Sequence, residues 1–314
     1  MLRSRTCLIG LILACTCVIV GCGTSPSSSG TTSTSTEGPP HISAGDTALV
    51  PYCNGQTVQI TQPPRHSRPA PAVIYLHGGS WIGGDQDTGG FIIHDVGDAL
   101  NKDGFLVASA NYRLGPDEPW PAQIVDAKCA VRYLRANAEA LDIDPGEIGI
   151  WGHSAGGHLA SLVGTTGPDA GWDVGPYLNQ SSAVEAVADL AGPSNLVTLG
   201  EEGGPGLVKD NFKSLLGNVS PEQLPAELKA ASPVTYVSNG DPPFLIIHGD
   251  MDPIVPLAQS EELARALEAA HVPVSLVVVK GGGHALDESG AKPDPEQIEA
   301  MIVAFFVQEV QHSP

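Results

Sequence analysis

Unbroken apolar runs recur along the chain, each bounded by glycine, proline or polar residues. Runs of this kind, which do not alternate with polar positions, are typical of strands that are buried on both faces of a parallel sheet. The run at 71–76 stops abruptly at His77-Gly78-Gly79, as expected for a strand that ends in a tight loop. On this basis we predict strands at 71–76, 105–110, 147–151, 184–190, 244–248 and 274–279.

Segments with helical spacing lie between these strands. The clearest covers 121–140, where apolar residues recur every three to four positions after Pro121. Further helices are predicted at 155–164, 257–270 and 297–310. Strands that alternate with helices indicate an α/β fold with a mostly parallel central sheet and helices on both faces. The irregular stretch at about 192–232 interrupts the alternation, and we predict that it forms a small cap insertion.

The first residues have the pattern of an export signal. Arg3 and Arg5 precede an apolar run at 7–20, which is shorter than the roughly 20 residues that a membrane-spanning helix needs. The run ends in the sequence IVGC, which resembles the bacterial lipobox, where the cysteine (here Cys22) receives a lipid before cleavage. The alternative is a plain secretory signal in which Cys22 is incidental and the protein is secreted.

These features predict three parts of the chain: a lipoprotein signal peptide at 1–21, a flexible tether rich in Ser, Thr, Gly and Pro at 22–45, and the α/β domain at 46–314. The protein would then be anchored by its lipid to the outer face of the bacterial cell membrane, with no other contact to the membrane.

Charge and cysteine content narrow the range of partners. The chain has 15 Lys and Arg against 35 Asp and Glu, a formal net charge of −20, which argues against a nucleic-acid partner because such binding relies on neutralising phosphates. Of six cysteines, only Cys53 and Cys129 lie beyond the signal and its proposed anchor. An exported domain permits a disulfide between them, and the alternative is that Cys129 is a buried apolar residue of a helix.

The sequence GHSAG at 152–156 fits the nucleophile elbow G-x-S-x-G. In this motif the serine, here Ser154, adopts a strained backbone conformation that only flanking glycines accommodate. A single match to so short a pattern has a real chance of being accidental in a glycine-rich chain. Its position after one predicted strand and before a predicted helix is the position that the elbow requires.

A serine hydroxyl needs a base to remove its proton. In proteins with this elbow, the acid and then the histidine follow the serine along the chain. His284 follows the last predicted strand in a loop of three glycines, and we prefer it to His271, at a helix end, and His312, beside the chain end. The sequence HGDMD at 248–252 offers two acids, Asp250 and Asp252, and residue spacing alone does not separate them.

Taken together, HGGSW at 77–81, GHSAGG at 152–157, HGDMDPIVP at 248–256 and Gly283-His284 resemble one family. It is the esterase and lipase branch of the α/β-hydrolases related to hormone-sensitive lipase, closest to the feruloyl and acetyl-xylan esterase (BD-FAE-like) group. The similarity runs from about residue 71 to the C-terminus. It implies the α/β-hydrolase fold and a Ser154–Asp252–His284 triad, because the family pattern H-G-x-x-D-x-x-V-P selects Asp252.

The resemblance also implies an oxyanion hole formed by the backbone N–H groups of Gly79, Ser80 and Ala155. Many relatives have glycine where this chain has Ser80, so the hole requires that a serine can adopt the loop conformation there. Trp81 could floor a substrate pocket or belong to the core. His153 and His158 are interpreted as packing or hydrogen-bonding residues. No zinc-type spacing or phosphate-binding loop is found in the sequence, so no cofactor and no metal are predicted.

The predicted function is therefore a serine esterase for short- to medium-chain carboxylic esters, with acetyl or feruloyl esters on glycans among the candidate substrates. Two alternatives remain. A prolyl-oligopeptidase-like peptidase shares the order of the triad, but nothing in the sequence resembles its propeller domain. A catalytically silent binding protein could use the same scaffold, although loss of catalysis usually removes a triad member and all three residues are present. The sequence does not predict the oligomeric state.

Overall fold

A single sheet organises the part of the chain that the structure describes. The computed structural model describes residues 39, 41–64, 69–202, 207–217 and 219–311, and within them eight strands follow the order β1-β2-β4-β3-β5-β6-β7-β8. The strands are β1 (Thr47–Pro51), β2 (Thr57–Thr61), β3 (Ala70–Leu76), β4 (Leu106–Ala110), β5 (Ile143–His153), β6 (Val187–Leu190), β7 (Phe244–Gly249) and β8 (Val274–Val279). All neighbours from β4 to β8 are parallel, and β1–β2 and β2–β4 are antiparallel. The mostly parallel sheet expected from the sequence is confirmed.

Helices cover both faces of this sheet. The helices of the described residues are α1 (Phe91–Lys102), α2 (Ala122–Ala136), α3 (Ala138–Leu141), α4 (Ala155–Thr165), α5 (Leu196–Glu202), α6 (Leu207–Leu216), α7 (Leu224–Ala230), α8 (Leu257–Ala269) and α9 (Pro295–Glu309). One apolar layer joins the sheet to α2, α4 and α8, and a second joins its other face to α1 and α9. Strands β3, β4, β6 and β7 are buried along their whole length, which explains why their sequences are mainly apolar.

The structure differs from the sequence prediction at several elements. The hairpin of β1 and β2 and the helix α1 were not predicted. The helix predicted at 121–140 is interrupted at Asn137, whose side-chain amide donates to the Tyr133 carbonyl, so that α3 is a separate short helix. The strand predicted at 147–151 is longer and begins at Ile143.

The stretch predicted to form a small cap, 192–232, contains α5, α6 and α7, so it is more helical than its sequence suggested. Helix α5 contacts both α6 and α7. None of the helices in the described residues is long and apolar enough to cross a membrane. The predicted signal peptide, Cys22 and most of the predicted tether lie outside the described residues, as does His312.

The structure joins Cys53 to Cys129 by a disulfide, which the sequence had left open. Their Cα atoms are 6.3 Å apart, and both side chains are fully buried. Cys53 lies in the turn between β1 and β2, and Cys129 lies in the middle of α2, so the bond fastens the antiparallel hairpin to the helical layer. A bond between residues so distant in sequence restricts the unfolded chain strongly and typically contributes about 2–4 kcal/mol to stability.

Candidate active site

Ser154 lies between the end of β5 and the start of α4, at the turn that the elbow motif predicts. Its backbone has φ 57° and ψ −120°, a region that residues with a side chain rarely adopt. The flanking glycines make this turn sterically feasible. A Cβ on Gly156 would lie 1.9 Å from the Leu76 carbonyl oxygen, and one on Gly152 would lie 2.4 Å from the backbone of Gly156. The main chain of this turn is fixed to β6, because the Ser154 amide donates to the Leu190 carbonyl at 2.8 Å.

His284 and Asp252 meet at the same edge of the sheet. The Nδ1 atom of His284 lies 2.7 Å from Oδ2 of Asp252, and the Asp252 side chain has no exposed surface. Asp250 faces elsewhere: its carboxylate accepts a hydrogen bond from the Gly281 amide at 2.7 Å and lies 3.3 Å from Lys280 Nζ. The structure therefore places Asp252, and not Asp250, against the imidazole.

The pKa of the Asp252 carboxyl lies well below its usual range. Burial alone would raise it, but hydrogen bonds from His248 and His284 and the nearby charge of His284 lower it further than burial raises it. Asp252 is therefore a carboxylate at neutral pH and holds the Nδ1–H of His284. The opposite nitrogen of that ring, Nε2, is left as the proton acceptor that a serine nucleophile needs.

His153, the residue before the serine, supports the loop that carries His284. Its Nε2 atom donates to the His284 carbonyl oxygen at 2.7 Å, and the two rings are 4.8 Å apart. Burial and the nearby imidazole of His284 lower the pKa of His153 to about 4, so it is neutral at pH 7. This bond connects the elbow directly to the last loop of the site.

The loop after β3 contains consecutive residues with positive φ angles, among them Gly79 and Ser80. Gly79 has φ 114°, where a Cβ would lie 2.1 Å from the Gly83 carbonyl oxygen, and its own carbonyl accepts from the amides of Ile82 and Gly83. Ser80 follows with φ 54°, so the serine of this chain adopts the left-handed conformation that the loop requires. Within the described chain, the amides of Gly79 and Ser80 donate to no other protein atom. Ala155 begins α4, where helix amides lack partners within the helix.

These parts enclose one cavity of about 400 Å³. Its wall includes Gly79, Ser80, His153, Ser154, Ile254, His284 and Asp287. Ser154 and His284, the predicted nucleophile and base, thus line the same space. No lysine or arginine, and no residue of α5, α6 or α7, lies on this wall among the described residues.

The other sequence candidates lie away from this wall. Trp81 is 4 % exposed, and its indole nitrogen donates to Nδ1 of His158 at 3.1 Å within the apolar layer of α2 and α4. His271 is exposed at the end of α8. The described part of the chain contains no group of three or more His, Cys, Asp or Glu side chains placed to hold a metal ion.

Comparison with known proteins finds a matching family model and relatives that are named as esterases. The family model described as BD-FAE matches residues 58–267. Esterase LipQ of Mycobacterium tuberculosis is 32% identical over 80% of this chain and 59% of its own length. Esterase LipC of the same organism is 29% identical over 79% of this chain and 60% of its own length. This chain therefore spans about three fifths of these curated relatives.

Among solved structures, a truncated form of a carbohydrate esterase from gut microbiota superimposes with a TM-score of 0.73 and 29% identity. The match covers 88% of this chain and 100% of that structure.

Proposed function

This chain belongs to the BD-FAE family and has the α/β-hydrolase fold, and on that premise we propose that it is a serine esterase. One observation carries the proposal. Ser154, in a strained elbow, lines the same cavity as His284, and Asp252 holds the far nitrogen of that imidazole at 2.7 Å. The esterase names of the mycobacterial relatives support this reading.

In the proposed mechanism, Nε2 of His284 removes the proton of the Ser154 hydroxyl as its oxygen attacks the ester carbonyl. Asp252 keeps the imidazole in the tautomer with a proton on Nδ1 and stabilises the imidazolium that forms. The amides of Gly79, Ser80 and Ala155 donate to the developing oxyanion; each such donor typically contributes about 2.7–4 kcal/mol to transition-state stabilisation. The imidazolium then protonates the departing alcohol, and His284 activates a water molecule that releases the acyl group.

The proposed substrates are esters of short to medium acyl groups, with acetyl or feruloyl groups on glycans as the preferred class. The name of the gut-microbiota structure, a carbohydrate esterase, supports a glycan ester. The cavity supports a modest acyl group, since about 400 Å³ lies near the lower end of the range for small-molecule sites. Hydroxyl-bearing and apolar residues share its wall, among them Ser80, Thr88 and Ile254.

A panel of p-nitrophenyl esters from acetyl to palmitoyl, together with acetylated xylan and methyl ferulate, tests this proposal. We expect the highest kcat/KM at short chains and release of acetate or ferulate from the natural esters. A fluorophosphonate probe should label Ser154. A protein that neither turns over any of these esters nor reacts with the probe would be a binding protein on this scaffold.

Asp287 should make the enzyme discriminate against anionic esters. Its carboxylate is exposed on the cavity wall, and no cation on the described part of that wall balances it. We predict that Asp287→Asn raises the ratio of kcat/KM for p-nitrophenyl hemisuccinate to that for the neutral valerate by about three- to tenfold at low salt. Added salt should raise the same ratio in the wild type. A ratio that responds to neither change would exclude a role of Asp287 in selectivity.

We propose that Cys22 carries a lipid anchor, which holds the mature enzyme on the outer face of the membrane. The apolar run at 7–20 and the sequence IVGC support this localisation. Cys22→Ala should move the protein from the membrane fraction, or leave it as an uncleaved precursor that labelled palmitate does not mark. Equal labelling of the wild type and the variant would contradict the anchor.

A further inference from the structure

His248 is the penultimate residue of β7, with its side chain fully buried, four residues before the candidate acid. We propose that His248 is a positioning residue of the site, which donates a hydrogen bond to Asp252 and so fixes the carboxylate that orients His284. The role in turnover rests on the proposed esterase function. The arrangement itself, and its effect on His284, can be measured without any substrate.

The surroundings of the ring determine which nitrogen carries the proton. Nε2 lies 2.8 Å from the Val255 carbonyl oxygen and 3.2 Å from Oδ2 of Asp252, and both of these atoms can only accept. Nδ1 lies 2.6 Å from the Ser260 hydroxyl, which can donate. A neutral His248 therefore has its proton on Nε2, where it donates to the Val255 carbonyl and lies beside Oδ2 of Asp252, while Ser260 donates to Nδ1.

The contact of His248 with Asp252 completes the set of polar groups around this carboxylate. Its Oδ1 accepts from the amides of Ile254 and Val255 at 2.8 and 3.0 Å, and its Oδ2 faces both His284 and His248. The carboxylate, which has no exposed surface, is held from both sides and cannot rotate without breaking buried hydrogen bonds. Val255 takes part twice, through its amide to Asp252 and its carbonyl to His248, so the turn 252–255 and the imidazole fix each other.

Other titratable groups face this cluster from the neighbouring elements. Asp189 of β6 is fully buried and within electrostatic range of His248, and His153 of the elbow is affected by His248, His284 and Asp252. The pKa of Asp189 is raised by burial, and that of His153 is lowered to about 4 by burial and by His284. A change in the pH dependence must therefore be assigned to His284 by observing that residue directly.

The informative variant is His248→Leu, which fills the space without a donor. Without this hydrogen bond, the carboxylate attracts a proton on His284 more strongly, so the pKa of His284 should rise. We expect the acid limb of the kcat/KM profile to move to higher pH by about half a unit to one unit, with kcat lower by about ten- to a hundredfold and KM within about twofold. Proton NMR of the His284 ring should report the same upward shift in the absence of substrate.

His248→Gln is the matched control, because its amide can donate to Asp252 while its oxygen accepts from Ser260. It should restore kcat to within about fivefold of the wild type and return the His284 titration to its original position. If the leucine variant does not fold, Ser260→Ala, which frees Nδ1, should shift the His284 titration in the same direction by a smaller amount.

The outcomes separate this proposal from the proposed function. A wild type without esterase activity but with the NMR shift would leave the positioning role intact and remove the reaction. An active wild type whose folded His248→Leu variant keeps the acid limb and the His284 titration unchanged would overturn the positioning role. Loss of activity in the glutamine variant equal to that in the leucine variant would overturn it as well, because the donor would then not be what matters.

Discussion

Ser154→Ala should lower kcat for p-nitrophenyl acetate by about 10⁴-fold or more, since the remaining oxyanion donors and binding interactions supply only a small part of the catalysis of a triad enzyme. The alanine retains the Cβ, so the strained backbone at φ 57° and the packing of the elbow glycines stay the same. The thermal unfolding midpoint should therefore remain close to that of the wild type. Steady-state kinetics and a thermal melt on the same preparation test both expectations.

Ser238→Ala is a suitable control, because Ser238 is an exposed serine in a turn outside the cavity wall. It should keep the turnover of the wild type and change the unfolding midpoint only slightly, because the hydrogen bond that it loses, from its hydroxyl to Asp241, is exposed. The fluorophosphonate probe should label this variant at Ser154. If Ser154→Ala kept more than about a tenth of the wild-type turnover, another residue would have to be the nucleophile and the proposed mechanism would be wrong.

Asp252→Asn should lower kcat by about 10³- to 10⁴-fold. The substitution keeps the size of the side chain but replaces one carboxylate oxygen with an NH2 group, which can donate a hydrogen bond but cannot accept one. Oδ2 of Asp252 faces Nδ1 of His284 and Nε2 of His248, so a side-chain NH2 group in its place would face two N–H donors. If the asparagine side chain were rotated, its NH2 group would instead face the backbone N–H groups of Ile254 and Val255, which are donors too. The imidazole of His284 would then favour the tautomer that cannot accept the serine proton.

Asp250→Asn tests the same assignment from the other side. Asp250 is bound to the Gly281 amide and lies beside Lys280, so its substitution should change kcat by no more than about threefold. The two variants carry the same chemical change two residues apart, which makes their ratio the decisive quantity. A large loss of kcat with Asp250→Asn and a small one with Asp252→Asn would show that the acid is Asp250 and that the assignment to Asp252 is wrong.

The parallel core of the fold was predictable because burial on both faces produces unbroken apolar sequences. Strands β3, β4 and β7 are each buried throughout, and each was predicted close to its observed bounds. The hairpin of β1 and β2 lies at the edge of the sheet, where only alternate positions of β2 are buried, and its short segments were too weak a signal. Helix α1 was missed as well, directly after Gly89 and Gly90, a pair that suggests a loop.

The site shows the same division between local and long-range information. The elbow could be found from its sequence because its turn has no space for a Cβ at positions 152 and 156, where the structure places backbone atoms within 2.4 Å of such a Cβ. The choice between Asp250 and Asp252 depends on how a turn orients two neighbouring side chains, and the residues alone do not contain that orientation. The disulfide and the contact of His248 with Asp252 form only when the chain has folded, so neither could be found from local sequence.

The left-handed backbone of Ser154 has a consequence for related genes. Such a conformation costs of the order of 1–3 kcal/mol at a residue with a side chain, and glycine would relieve most of it. On the proposed function, the Ser154 hydroxyl is the nucleophile, and turnover requires a serine there despite this cost. A descendant that had lost its substrate would gain folding stability from the first serine-to-glycine mutation at this codon, so the identity of that single residue indicates whether a newly sequenced homologue is still under selection as an enzyme.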